Sequence, residues 1–297
     1  MKILPPAKVT ERVLLLGHPE ACVYLVRDGD ESVLLGGGMD YIAPALMDQL
    51  QAMAVDERSI KRICILHSHF DHCGVVPFLK QRWPWAVVTA SPRAQNLLAK
   101  PEVTAAIAQM NRAAAQRMGL DAAVRSLGCD FTQIRVEETV AEGDLLTCGA
   151  LNLQTIEVPG HSSCSIACYC SSEKALFASD AVGLEHEGVY QPTPNSNFDE
   201  YQQSLAKLAG YDVDCLLLEH YGAYTGDDAR QFIPRAIEAA RELRALLEET
   251  YLKTRDVEKC TQEMTDLMLQ RAGDSFLPRE VRALVAGQMV RYIAKTL

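Results

Sequence analysis

The run His67-Ser68-His69-Phe70-Asp71-His72 decides how this chain is read, because three of its seven histidines fall within six residues. The others stand at positions 18, 161, 186 and 220. Immediately upstream, Arg62 to Leu66 has the apolar, β-branched character of a buried strand, and helix-forming residues resume near Val75. The polar run therefore occupies the turn at the C-terminal end of a strand, where loops commonly carry binding and catalytic groups. Burying four such side chains costs free energy unless a partner compensates them. On an extended segment, residues two apart point the same way, so His67 and His69 can grip one cation. Asp71 and His72, on the turn that follows, can reach a second.

Three further candidates repeat that context. His161 follows the predicted strand Leu151 to Val158 through Pro159-Gly160, Asp180 ends the strand Ala175 to Ala178, and His220 follows Cys215 to Leu218 through Glu219. Five imidazoles and two carboxylates are more than one tetrahedral ion needs, so two divalent metal ions are the economical expectation. Imidazole with carboxylate suits zinc or iron. Cys73, directly after His72, reads better as a small residue packing the turn than as a ligand. His18, beside Gly17 and Pro19, and His186 stay outside the ligand set.

Outward from the run, the first 35 residues read as strands at Arg12 to Leu16, Cys22 to Arg27 and Ser32 to Leu35, closed by Gly36-Gly37-Gly38. A helix is predicted over 42 to 53, then a strand at Ala86 to Ala90, a helix opened by Pro92, and a helix from Pro101 to Met118. The last has Val103, Ile107, Met110 and Ala114 on one face. Strands are expected again at Ile134 to Val136, Leu151 to Val158, Ile166 to Cys170 and Ala175 to Ala178. Residues 183 to 197 show no period and read as a long loop. Asn197 and Glu200 have capping-box spacing ahead of a helix whose face is Tyr201, Leu205 and Leu208. Beyond residue 227 the pattern is helical throughout, over 228 to 252, 256 to 270 and 279 to 294. The expected division is a catalytic domain over 1–226 and a helical cap over 227–297, which packs by its apolar faces or mediates a homodimer.

The composition bounds the function. At roughly 150 residues per domain, 297 residues suggest two domains or one large core with an appendage. An apolar share of 48% with 23% charged residues is that of an ordinary globular protein. With 29 basic against 39 acidic residues, the net charge of −10 disfavours a nucleic-acid partner. No apolar stretch approaches the roughly 20 residues that span a bilayer, so no membrane partner is expected. The start MKILPPAKVTERV has prolines and charges where a signal peptide has its apolar run, and the ten cysteines contain no C-x-x-C pair. A reducing, cytoplasmic location is the expectation.

The run at 67 to 72 matches the H-x-H-x-D-H signature of the metallo-β-lactamase superfamily, and with Gly160-His161, Asp180 and His220 in order the chain resembles that family over about residues 10 to 225. The resemblance implies an α/β (α+β) fold, the αββα sandwich, with its site at one edge of two sheets and here a C-terminal helical extension. It implies that His67, His69 and His161 bind a first metal ion, that Asp71, His72 and His220 bind a second, and that Asp180 bridges them. A closer likeness is to the CoA thioesterases of the bacterial alkylquinolone pathway, which act on 2-aminobenzoylacetyl-CoA. It is carried by HSHFDHCGVVPFL at 67 to 79, by Met110 to Arg112 and by Ser275-Phe276-Leu277-Pro278. Family members commonly have Gly before the last ligand, whereas here Glu219 precedes His220, a departure that bears on the residues behind the ligands.

The expected activity is hydrolysis of an acyl or aroyl thioester, a small-molecule substrate. Two adjacent cations lower the pKa of a shared water, giving a hydroxide at neutral pH that attacks the carbonyl one of them polarises. Asp71 is the catalytic candidate, accepting or relaying the water's proton in addition to binding metal. Three other readings stay open. One is another metallo-hydrolase, of glyoxalase II, lactonase or phosphodiesterase type; a second is an oxidoreductase holding one iron for oxygen chemistry on a thiol persulfide; a third is a partner-binding regulator with the tail as docking surface.

Overall fold

Apolar and β-branched segments separated by Gly and Asp turns form two seven-stranded sheets in the computed structural model, which describes residues 1–128, 133–272 and 278–297. Cys129 and the tail residues Ser275, Phe276 and Leu277 lie outside the described residues. The first sheet takes its strands in chain order: Ala7–Lys8, Val13–His18, Ala21–Asp28, Glu31–Leu35, Ile60–Cys64, Val87–Ala90 and Glu138–Thr139. Its early strands pair antiparallel through short turns. From Glu31–Leu35 onward the pairing is parallel, since the helices Ala43–Ala52 and Val76–Arg82 carry the chain back to the starting edge.

The second sheet runs Lys2–Ile3, Ala223–Thr225, Cys215–Leu217, Ala175–Phe177, Ile166–Cys170, Leu151–Glu157 and Leu145–Cys148. Alternate residues of both sheets share one core, with Cys22, Tyr24 and Val26 from the first and Leu153, Cys168 and Phe177 from the second. The Tyr24 ring meets Phe177 edge to face at 5.7 Å, and its hydroxyl donates to the Leu218 carbonyl at 2.5 Å. Each large core side chain contributes about 1.5–3 kcal/mol by leaving water. All nine described cysteines are buried, serving as the small hydrophobes expected of thiols in apolar runs.

Two expectations need correction. Ile134 to Val136 is not a strand: Val88 N–H bonds the Glu137 carboxylate at 3.0 Å, and pairing begins only at Thr89 with Glu138. Ile134 and Val136 are buried nonetheless, which is what the apolar pattern registered. Residues 183 to 197 are not irregular throughout, for Leu184–His186 and Val189–Gln191 pair as a hairpin. Glu187 and Gly188 at its turn have φ of 52° and 82°, the left-handed pair that matches the twist of a two-residue hairpin. Strands of three residues are too short to show a period.

By contact density the residues group into two units. The first is Met1–Glu157, Cys164–Ser179 and Asp212–Arg230, and it contains both sheets. The second is Val158–Ser163, Asp180–Tyr211 and Gln231–Leu297. The second unit thus begins its last segment at Gln231, four residues beyond the expected division at 227, and also takes two earlier segments. In that unit the helix Phe198–Leu208 is capped by Asn197, whose side chain accepts from Glu200 N–H at 3.1 Å, and it buries Tyr201, Leu205 and Leu208 as their spacing predicts. The helices Val257–Ala272 and Arg279–Thr296 follow the expected positions. Among the described residues no helix is long and apolar enough to cross a membrane.

Candidate metal centre

The strand Ile60–Cys64 delivers the chain to an extended segment through His67 and Ser68, then to a single 3-10 turn at Phe70–His72 closed by His72 N–H on the His69 carbonyl at 3.1 Å. The turn is clamped from the helix Pro101–Arg117. Fully buried Asn111 donates to the Phe70 carbonyl at 2.8 Å and accepts from Asp40 N–H at 3.0 Å. Gly74 passes so close that a Cβ there would lie 2.2 Å from Asn111 Oδ1, so only glycine fits. The buried face of this helix is Ile107, Ala108, Asn111, Ala114 and Ala115, with Val103 and Met110 only partly covered. Asn111 was missed as a functional residue, although it lies four residues after Ile107 on the apolar face and within the stretch Met110 to Arg112 that carries the likeness to CoA thioesterases.

Within the first unit the predicted ligands His67, His69, Asp71, His72 and His220 come together. The His67 and His69 rings stand edge to face at 4.7 Å, as residues two apart on an extended segment should. Asp71 Oδ2 lies 3.5 Å from Nε2 of both His72 and His220, and those two nitrogens are 3.1 Å apart. Their partners fix which nitrogen carries the proton. His220 Nδ1 is 2.8 Å from the Glu20 carbonyl, which only accepts, so Nδ1 is the N–H and Nε2 presents its lone pair. His72 Nδ1 is 3.0 Å from Glu219 Oε2, an ion-pair distance, while its Nε2 faces that of His220. Two imidazole lone pairs facing each other beside a carboxylate need a cation or a proton between them, and this donor set fits a divalent ion.

His67 obeys the same logic through an intermediary. Ser179 Oγ donates its only proton to Glu219 Oε2, so at 3.2 Å it accepts from His67 Nδ1–H. Burial alone would raise the Asp71 pKa, but where a proton lies between the two rings the charge of His72 and hydrogen bonds from His220 and His72 outweigh it and hold the carboxyl well below the usual carboxylate range. Cys73 behaves as packing: burial pushes its thiol up, and Sγ donates to the His69 carbonyl at 3.1 Å. His18 is structural, its ring set edge-on to Tyr41 at 5.8 Å and its Nδ1 accepting from Glu20 N–H.

In the second unit His161 and Asp180 come together, with Nε2 3.4 Å from Oδ2. His161 Nδ1 donates to the Thr193 carbonyl at 2.9 Å, and Thr193 Oγ1 donates to the Asp180 carbonyl at 2.8 Å. Gly160 is required before His161, for its φ is 125° and a Cβ would lie 2.2 Å from Tyr201 N. His186 sits in the hairpin strand Leu184–His186. Sequence reasoning missed Ser179 and Thr193 entirely and noted Glu219 only as a departure.

Comparison with known proteins agrees with this architecture. Residues 21–220 match the model of the Metallo-beta-lactamase superfamily. A hydroxyacylglutathione hydrolase of Ruegeria pomeroyi is 26% identical over 214 residues, 70% of this chain and 64% of that protein. One from Rhodopseudomonas palustris (strain BisA53) is 26% identical over 153 residues, 50% of this chain and 46% of that protein. The chain thus spans less than two thirds of the length of these curated relatives. In structure it is similar to a metallo-beta-lactamase family protein of Thermus thermophilus, with a TM-score of 0.66 at 20% identity over 95% of this chain and 92% of that one. The two sheets with a C-terminal helical region, the histidine-rich turn and the match over residues 21–220 lead to one conclusion: the chain belongs to the metallo-beta-lactamase superfamily.

Proposed function

We propose that this protein is a dimetal hydrolase of an acyl or aroyl thioester. The observation that carries the reading is the set of three imidazoles, of His220, His161 and His67, whose Nδ1–H groups are committed to Glu20, Thr193 and Ser179, which turns their Nε2 atoms toward the role of ligands, with the Glu219 carboxylate 3.0 Å from the Nδ1 of a fourth, His72. Family membership implies the assignment: His67, His69 and His161 to one ion, Asp71, His72 and His220 to the other, Asp180 between them. When bound, two divalent ions, zinc or iron, supply an activated water at neutral pH and polarise a carbonyl.

The chain's own groups then have definite tasks. Asp71, kept ionised by its histidine neighbours, accepts or relays the proton of the attacking water. A thiol leaving group with a pKa of about 8.5 departs with little proton assistance, so a thioester asks less of the surrounding residues than an amide does. Two likenesses favour this substrate class. The curated relatives are named for hydroxyacylglutathione, itself a thioester, and the sequence stretches at 67 to 79 and 110 to 112 resemble CoA thioesterases.

The test is metal analysis of the purified protein coupled to a panel of acyl-CoA, aroyl-CoA and acylglutathione thioesters, read by thiol release. Two ions per chain and turnover of at least one thioester are expected. A metal-loaded protein inert to the whole panel would overturn the substrate class.

A further inference from the structure

We infer that Glu219 is a positioning residue, holding one histidine of each metal pair through a single carboxylate oxygen and so linking the affinities of the two ions. This rests on the dimetal reading above. The Glu219 side chain is 1% exposed, and a carboxylate buried this far costs free energy unless its surroundings compensate it. Its Oε2 accepts from Ser179 Oγ, which in turn accepts from His67 Nδ1–H at 3.2 Å, and the same Oε2 stands 3.0 Å from His72 Nδ1. His67 and His72 are assigned to different ions, with ring centroids 4.0 Å apart. One oxygen therefore stands against both rings, through Ser179 for His67 and at ion-pair distance for His72, and by its charge makes both more basic toward a cation.

The surroundings are built for this carboxylate. Its other oxygen lies where a Cβ on Gly36 would come within 2.4 Å, so the first of the three consecutive glycines leaves the room it occupies. Its backbone is tied down by Cys22 N–H, which donates to the Glu219 carbonyl at 2.8 Å. Ser179 has φ of 49°, a left-handed conformation that costs a serine free energy and is kept where surrounding contacts enforce it; here it sets Oγ between His67 and Glu219. The residue that replaces the family's usual glycine before the last ligand thus has a task that glycine cannot perform.

The experiment compares full-length, zinc-loaded wild type with Glu219→Ala, Glu219→Gln and Ser179→Ala. It reads ions per chain by elemental analysis, zinc affinity by chelator competition, and the visible spectrum after cobalt substitution. Glu219→Ala should weaken both ions by about 10- to 100-fold. Glu219→Gln keeps an oxygen that can accept from Ser179 and His72, so it should retain two ions with a smaller loss. Ser179→Ala should weaken one ion, that of His67, and spare the other. Wild type without bound ions would remove the dimetal reading itself. Wild type with two ions and a Glu219→Ala protein of equal affinity and unchanged cobalt spectrum would remove only this inference. So would a Glu219→Gln protein that loses one ion outright, since that marks Glu219 as a direct ligand. If Glu219→Ala does not fold, equal affinities for both ions in Ser179→Ala and Glu219→Gln overturn the inference as firmly.

Discussion

The histidine turn at 67 to 72 and the region around His161 hold their candidate ligands by different means. In the turn, His67 and His72 are oriented by side chains, Ser179 and Glu219, and the turn itself is clamped by the Asn111 amide. His161 is oriented by a main-chain carbonyl, that of Thr193, on a loop whose path depends on Gly160. His220 follows the second pattern through the Glu20 carbonyl. A carbonyl is present whatever the side chain, so the second arrangement survives substitutions that keep the loop's path. The first fails when one side chain is removed. The lesson is that ligands alike in the sequence can differ widely in how mutable their supports are.

The comparison can be broken most sharply at the ligands themselves. Replacing His67 and His69 together by Ala should remove one ion per chain and lower kcat/KM on a thioester by about 10³-fold, since metal activation supplies several kcal/mol of barrier reduction. Elemental analysis with steady-state kinetics checks it, and a double variant with two ions and ordinary turnover would mean that the turn is not a metal site. Next in size is Asn111→Ala. It strands the buried Asp40 N–H and deprives the part-buried Phe70 carbonyl of a donor, at about 1–3 kcal/mol for a buried group left unsatisfied. A urea midpoint equal to wild type would show that the clamp is dispensable.

How much of this was legible in the sequence follows the same division. The ligands were readable because imidazole and carboxylate side chains at strand ends are rare and costly to bury, and strands such as Ile166–Cys170 were readable from unbroken apolar runs. Glu219 stood out only against the glycine expected there; that it reaches His72 and, through Ser179, His67 depends on three segments far apart in the chain. Asn111 was hidden because it is a polar residue on an apolar helix face. The hairpin at 184 to 191 was hidden because three-residue strands carry no measurable alternation, and its φ values of 52° and 82° at Glu187 and Gly188 are a property of the folded backbone. The carbonyls of Thr193 and Glu20 leave no trace at all in residue type.

The smallest effect is the one that sharpens the comparison most. Thr193→Val keeps the carbonyl that receives His161 Nδ1–H and removes the Oγ1 hydrogen bonds, to the Asp180 carbonyl at 2.8 Å and with the Tyr201 hydroxyl, which still accepts from Thr193 N–H. That carbonyl also accepts Gly183 N–H at 3.0 Å, so it is not left unsatisfied, and the loss should stay at about 1 kcal/mol of unfolding free energy. Zinc affinity should change by no more than about 3-fold, which is under 1 kcal/mol. A Thr193→Val protein whose ions weakened as much as those of Glu219→Ala would show that His161 depends on the threonine side chain, not on the main chain. The contrast between the two regions would then be one of degree, and the tolerance expected of carbonyl-held ligands would not hold in this chain.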